Sequence, residues 1–542
     1  MNMTFIRNAF LALMAAVAIG CGGETADLIA VDGLVYTSNP ERPVVEAFAV
    51  RDGRFLAVGS SSEIRELAGA ETTVLELNGV TALPGLIDGH VHLGSGQSFM
   101  RGVNLYGIAD RDEWLDLIAA RAAELPAGSW IVGGRWDHTL TSGARLPTKE
   151  ELDAVAPENP VALADVDGHS TWASSLALEL AGVDASTPDP QGGEIVHDPE
   201  TGEPTGILLE TAGDLVRSKI PPLSDEERLE TIRQTLGFAH SLGLTGAHDM
   251  SEHLEDYAGL AEKGDLDFRV WFGEFVFSPD EIAELEEKRD SIAARMEAAP
   301  PAGPMLQVGF VKLLIDGVLS TRTALMLEPY ADSPDEAGLP ILTREELNHL
   351  VAAANSHGFS VAIHAIGDRG VRMSLDAFEA SPAKPAHPNR IEHNEVIDPE
   401  DVGRFASLDV LAVMNPHHCI TGIDKYNTAR LGKPRVEWAF AWGKIQSAGA
   451  TLVFGSDWAT APLNPMEQFY AAVVREKPSG GPPGGWFPEN KVSFQDALFA
   501  YTQAPANAAG WGDQIGSITA GKWADFVVLD QSLPEPIDRS IL

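Results

Sequence analysis

Cysteine is nearly absent: the 542 residues hold two, Cys21 and Cys419. Cys21 ends an N-terminal apolar run, so no pair is left to staple the body of the chain. Stability must come from a packed core. Basic residues are also scarce, 38 Lys and Arg against 79 Asp and Glu, a formal net charge of −41. That balance excludes nucleic acid and anionic membrane surfaces as electrostatic partners. It reads as a solvated acidic surface and carries no catalytic meaning. Long apolar runs are missing too. The stretch Ala9–Ile19 is too short for a good membrane span. There is no low-complexity tract, and the only internal repetition is an alternation of strand and helix patterns.

What is present begins at the N-terminus. "MNMTFIRNAFLALMAAVAIGCGGE" places one Arg before the apolar run and Gly20-Cys21 after it, the layout of an export signal. "AIGC" resembles a bacterial lipobox, with Ala18 where Leu is commoner. By that resemblance residues 1–21 are a lipoprotein signal peptide, Cys21 carries the lipid, and Gly22 favours the outer membrane. The protein would face the periplasm or the cell surface and touch the membrane only through that anchor. The alternative is a plain signal peptide cut nearby.

Residues 27–84 read as strands with Asp-Gly and Asn-Gly turns. A similar fragment, "IGSITAGKWADFVVLD", lies near the end, so 27–84 and 507–542 suggest one composite β-sandwich. Between them, 85–506, eight short apolar runs alternate with helical patterns. They are "TALPGLIDGHVH", "GLTGAHDM", "FRVWFGEF", "VGFVKLLIDG", "FSVAIHA", "RIEHN", "VLAVMNP" and "TLVFGSD". Eight is the number that closes a (β/α)8 barrel, an α/β fold whose active site lies at the C-terminal strand ends. The gap after the first run must hold an insertion, roughly 126–220. The turn-rich Lys477–Asn490 is expected near the barrel mouth.

Ionisable residues mark those strand ends. His90 and His92, at i and i+2, point to one side of a strand. Taken alone, an H-x-H pair is as consistent with surface histidines as with metal ligands. Lys312, His364, His393 and Asp457 end or interrupt other apolar runs, where an unpaired polar group is costly. A barrel brings all six to one place, and four imidazoles with a carboxylate suit zinc or a similar divalent ion. Lys312 is the odd member. A neutral amine can take up CO2 to give an anionic carbamate able to bridge two metals. The alternative is an ion pair with Asp316 or another acid.

The segments "GLIDGHVH", "VKLLIDGVLSTRTA", "VAIHAIGDR", "RIEHN" and "VFGSDW", in this order, resemble the metal-dependent amidohydrolase superfamily. They are similar in particular to its YtcJ-like branch, which includes N-substituted formamide deformylases. "GGRWDHTL", "RLPTKEELDAV", "DVDGHSTWASSLAL" and "GSITAGKWADFVVLD" extend the likeness from about Leu28 to Asp530. The resemblance implies a barrel with a composite sandwich and a centre of two divalent ions. His90, His92 and Asp457 would hold one ion, His364 and His393 the other, with carboxylated Lys312 between them. Such a centre activates a water, and Asp457 serves as ligand and base, passing the proton to a leaving amine. Two departures stand out. Family members run on through another strand beyond "RSIL", so the sandwich is expected to lack its last strand. The branch often has Gln where Asn415 stands, so substrate contacts there are expected to differ.

Other expectations are these. His169 contacts substrate or stabilises a turn. Arg322 binds an anionic group or clamps a loop. Trp172 and Trp458 line a hydrophobic pocket or take the commoner place of Trp in a core, and Asp368 supports the fifth-strand histidine. His248, on the second strand, belongs to the site or, equally well, pairs locally with Asp249, and either His417 or His418 approaches the site. The favoured reaction is hydrolysis of a non-peptide C–N bond in a small N-acyl or N-formyl amine. Lactone or ester hydrolysis and deamination are alternatives at the same centre; "HAIGDRG" lacks the Glu that superfamily deaminases often carry. A non-catalytic binding scaffold is the reading from a different class, and self-pairing as a homodimer is left open.

Overall fold

The eight apolar runs become eight parallel strands. In the computed structural model, which describes residues 25–94, 100–143, 145–166, 168, 170–190, 193–251, 253–298, 303–423 and 427–542, they are Leu86–Val91, Leu244–Asp249, Arg269–Phe275, Leu306–Leu314, Ser360–Ala365, Arg390–His393, Leu411–Met414 and Leu452–Phe454. They pair in that order in one sheet. Most positions are buried on both faces, as parallel strands under helices must be.

The first and eighth strands meet at their C-terminal ends. Asp457 N donates to His90 O at 2.8 Å, and His92 N to Trp458 O at 2.9 Å. The buried Asp88 carboxylate accepts from Ser456 N at 3.0 Å and from His90 N at 3.1 Å. Burial pushes the Asp88 acid up to about 7. Glycine is required on both sides of this seam. A Cβ on Gly89 would lie 2.3 Å from Val453 Cγ1 and 2.7 Å from Phe454 O; one on Gly455 would lie 2.3 Å from His90 N. This is why "IDGH" and "FGSD" carry glycine and aspartate beside their ligand candidates.

The sandwich is built from two four-stranded sheets. One holds Ala26–Val31, Ala47–Arg51, Arg54–Gly59 and Ala68–Glu76; the other Leu34–Tyr36, Val44–Val45, Thr81–Pro84 and Phe526–Val528. Phe526–Val528 is the contribution of the C-terminal segment, antiparallel to Thr81–Pro84. The rings of Phe48, Phe55 and Phe526 meet edge-on between the sheets. The Asp52-Gly53 hairpin has both residues at positive φ, 52° and 72°, the type I′ pattern its sequence suggested. Residues 539–541 form a 3-10 turn.

After the first barrel strand the chain builds a separate six-stranded sheet from Val103–Asn104, Gly133–Trp136, Ala162–Asp165, Ser170–Ala173, Gly193–His197 and Pro204–Glu210. This unit starts at Val103, ahead of the 126 read from composition, because the helix Arg111–Glu124 belongs to it. Its core contains Trp114, Trp136 and Trp172, all essentially inaccessible. Among the described residues no helix is long and apolar enough to cross a membrane. The leader and Cys21 lie outside the described residues.

Candidate metal centre

Strand ends place His90, His92, His364, His393 and Asp457 together, over the buried Lys312. Asp457 Oδ1 lies 3.3 Å from His90 Nε2 and 3.4 Å from His92 Nε2. The His393 ring centroid is 4.8 Å from that of His90 and 4.5 Å from that of His364. Ligand atoms of His90, His393 and Asp457 all fall within 4.8 Å of one another.

Each imidazole has one nitrogen tied to an acceptor outside the cluster. His90 Nδ1 is 2.5 Å from Glu392 Oε2, and His92 Nδ1 is 3.3 Å from Met250 O. His364 Nε2 is 3.3 Å from Gly317 O, and His393 Nδ1 is 2.8 Å from Asn415 Oδ1. A carboxylate or carbonyl oxygen accepts, so in each case that nitrogen carries the proton. The other nitrogen is left with a lone pair, the form that binds a metal. Burial, followed by the nearby Lys312 charge, holds His90 below the usual imidazole range and His364 down to about 3. Burial also holds His393 well below it. These rings are neutral.

A neutral ring whose bare Nε2 faces a carboxylate oxygen at 3.3 Å sets acceptor against acceptor. His90 Nε2 accordingly has no hydrogen-bond partner although it is buried. A cation between them resolves the conflict, so the donor set fits a divalent ion. Lys312 has no carboxylate within ion-pair distance among the described residues, and burial pushes its ammonium down to about 8. The pairing with Asp316 is not formed. Both Asp316 oxygens are taken by backbone N–H groups, Ile366 N at 3.0 Å on Oδ1, with Leu325 N at 2.8 Å and Gly367 N at 2.9 Å on Oδ2.

Some of the other expectations are corrected and some are resolved. Trp172 is not a pocket residue; it is fully buried in the inserted unit, its Nε1 donating to Thr148 O. Arg322 clamps a loop, pairing with Asp332 at 3.0 Å. Asp368 holds Leu327 N at 2.7 Å rather than the fifth-strand histidine. Asn415 accepts from His393 Nδ1 and, through Nδ2, donates to Gly455 O, so its side chain is committed to holding His393 in place. Trp458 is nearly buried, its ring 6.1 Å from Phe238. His169 lies outside the described residues. His418 is the histidine that approaches, with Nε2 3.6 Å from Asp457 Oδ2 and its ring parallel to His393. His417 turns to Glu467.

Sequence reasoning missed Glu392, Arg390 and the partner of His248. Arg390 Nε and Nη2 donate to Glu392 at 2.5 and 2.9 Å, and Nη1 lies 2.7 Å from His248 Nδ1. A charged pair inside "RIEHN", within an apolar strand, was the available signal.

The amidohydrolase family model matches residues 73–540. The chain belongs to the amidohydrolase family. It is 32% identical to YtcJ of Bacillus subtilis, covering 92% of this chain and 93% of that protein. It is 30% identical to the N-substituted formamide deformylase of Arthrobacter pascens, covering 95% of each. Among solved structures, a metal-dependent hydrolase of Pyrococcus furiosus, itself uncharacterized, superposes with a TM-score of 0.73 at 27% identity. That match covers 93% of this chain and 99% of that one. The amidohydrolase barrel is therefore both the observed and the inherited architecture.

Proposed function

We propose that this amidohydrolase cleaves the C–N bond of a small N-acyl or N-formyl amine at a centre of two zinc ions. The observation that carries the reading is the gathering of four imidazoles around Asp457, with His90 and His92 turned on its Oδ1 and each ring fixed by an acceptor outside the cluster. His90, His92 and Asp457 would hold one ion and His364 and His393 the other. Carboxylated Lys312 would lie between the two; its burial without a carboxylate partner supports this. The formamide deformylase relative supports the choice of bond. When bound, the ions polarise the carbonyl and make a water acidic enough to attack near neutral pH.

The chain supplies the rest. Asp457 presents Oδ1 to His90 and His92, and Oδ2 toward His418. Oδ2 accepts the proton of the attacking water and returns it to the leaving nitrogen. Water adds to the carbonyl carbon, the C–N bond breaks, and a carboxylic acid and an amine leave. Export and lipidation at Cys21 belong to the same proposal and rest on the leader sequence alone. Replacing Cys21 by Ser should abolish incorporation of a labelled fatty acid.

The test of the reaction is amine release from a panel of N-formyl and N-acyl amines, using the whole zinc-loaded chain beside Asp457→Asn. Turnover by the parent and none by the variant supports it. Metal bound with no turnover by either refutes the amide reading in favour of lactones, esters or deaminase substrates.

A further inference from the structure

Three of the four histidines at the centre hydrogen-bond neutral acceptors, the carbonyls of Met250 and Gly317 and the amide of Asn415; the Asp316 carboxylate stands 3.7 Å from His364 Nε2, beyond hydrogen-bond distance and already held by three backbone N–H groups. His90 differs. Its Nδ1 meets a carboxylate, Glu392, at 2.5 Å, and both side chains are fully buried. Glu392 is not free to turn. Arg390 grips it through Nε and Nη2 at 2.5 and 2.9 Å, a two-point clamp between residues on the same face of one strand. Arg390 is anchored in turn. Nη2 also donates to Gly89 O at 2.6 Å, and Nη1 donates to His248 Nδ1 at 2.7 Å. His248 Nε2 donates to Pro505 O at 3.1 Å, which fixes its Nδ1 as the acceptor. The guanidinium lies near the faces of Phe310 and Trp271. A continuous polar chain therefore runs inside the barrel from Pro505 to His90.

We propose that Glu392, braced by Arg390 and His248, is a positioning residue that fixes His90 in its Nδ1-protonated form and makes it the strongest ligand of the centre. The proposal rests on the reading of the cluster as a metal centre. A carboxylate behind an imidazole raises the basicity of the far nitrogen and fixes the ring plane. A neutral acceptor fixes the plane and adds less basicity. Arg390 serves the fold by compensating the Glu392 charge, which an apolar interior does not tolerate alone. The energetic asymmetry predicts a functional one: the ion held through His90 is bound more tightly than its neighbour, and Glu392 controls that difference.

The test is Co²⁺ binding to the whole chain by chelator competition, with the cobalt absorption spectrum as a second readout. Removing Glu392 alone strands Arg390, so the variants are doubles that remove the charge pair together: Glu392→Leu with Arg390→Met, and Glu392→Gln with Arg390→Met. The leucine double is expected to weaken the tighter ion 10- to 100-fold and to alter its spectrum. The glutamine double, which keeps an acceptor for Nδ1, is expected to recover part of both. A folded leucine double that binds cobalt as tightly as the parent overturns the proposal and leaves the metal reading standing. A parent chain that takes up no cobalt overturns the metal reading, and the proposal with it. One further measurement needs no variant fold. In the metal-free parent with labelled histidine, ¹⁵N–¹H spectra should show His90 protonated at Nδ1 with a strongly downfield proton. Protonation at Nε2 would refute the proposal.

Discussion

Replacing Asp316 by Ala should destabilise the barrel far more than replacing any other loop carboxylate near the site. Asp316 is fully buried and accepts three backbone N–H groups, from Leu325 in the loop after the fourth strand and from Ile366 and Gly367 after the fifth. Alanine leaves all three donors buried and unpaired, at about 1–3 kcal/mol each. The carboxylate is itself costly to bury, as its acid pushed up to about 7 shows, and its removal offsets part of the loss. The expected net effect is therefore about 3–4 kcal/mol, near the lower end of that sum. Asp368→Ala is the internal control. That carboxylate accepts Leu327 N at 2.7 Å, and its loss should come to about 1–2 kcal/mol. Urea unfolding of metal-free chains at pH 7.5 gives both numbers under one condition. Asp316→Ala within 1 kcal/mol of the parent, or no worse than Asp368→Ala, would refute the clamp and reopen a pairing with Lys312.

Other consequences follow from the same geometry. Gly89→Ala should break the seam between the first and eighth strands, because its Cβ would press on Phe454 O; metal uptake and urea stability should both fall. Gly79→Ala, at φ 88° with open space around it, should lose only about 1 kcal/mol and bind metal normally. His418→Ala should lower kcat/KM about 10- to 100-fold through its contact with Asp457, while His417→Ala, turned to Glu467, should leave it within about twofold; steady-state kinetics on the best amine substrate decides. Lys312→Arg, which cannot form a carbamate, should lose one ion by elemental analysis, and ¹³CO2-treated parent should show a carbamate carbon that the variant lacks.

The sequence made the barrel legible because each strand is a short apolar run ended by a turn residue, and a buried parallel strand needs little else. That His90, His92, Lys312, His364, His393 and Asp457 would share one place was legible for the complementary reason: an unpaired ionisable residue within such a run is costly, and the barrel brings the strand ends together. Their supports were not. Glu392 lies 302 positions from His90, and Asp88 lies 368 from Ser456; only closure of the barrel makes them neighbours. Asp316 was visible as an acid near Lys312, but its partners are backbone groups, which leave no mark in a sequence. Trp172 shows the opposite limit. The sequence left pocket and core both open for it, and the inserted sheet uses it as core. The start of that insertion was missed because the amphipathic helix Arg111–Glu124 reads like any barrel helix.

The central claim is that metal held by these side chains performs the hydrolysis. The most direct measurement is amine release from one preparation of the whole chain, assayed as isolated, after stripping with a chelator, and after zinc is returned. The account predicts loss of turnover on stripping and recovery that saturates at two zinc ions per chain. Undiminished turnover in the stripped chain, or recovery that Asp457→Asn shares, would contradict it.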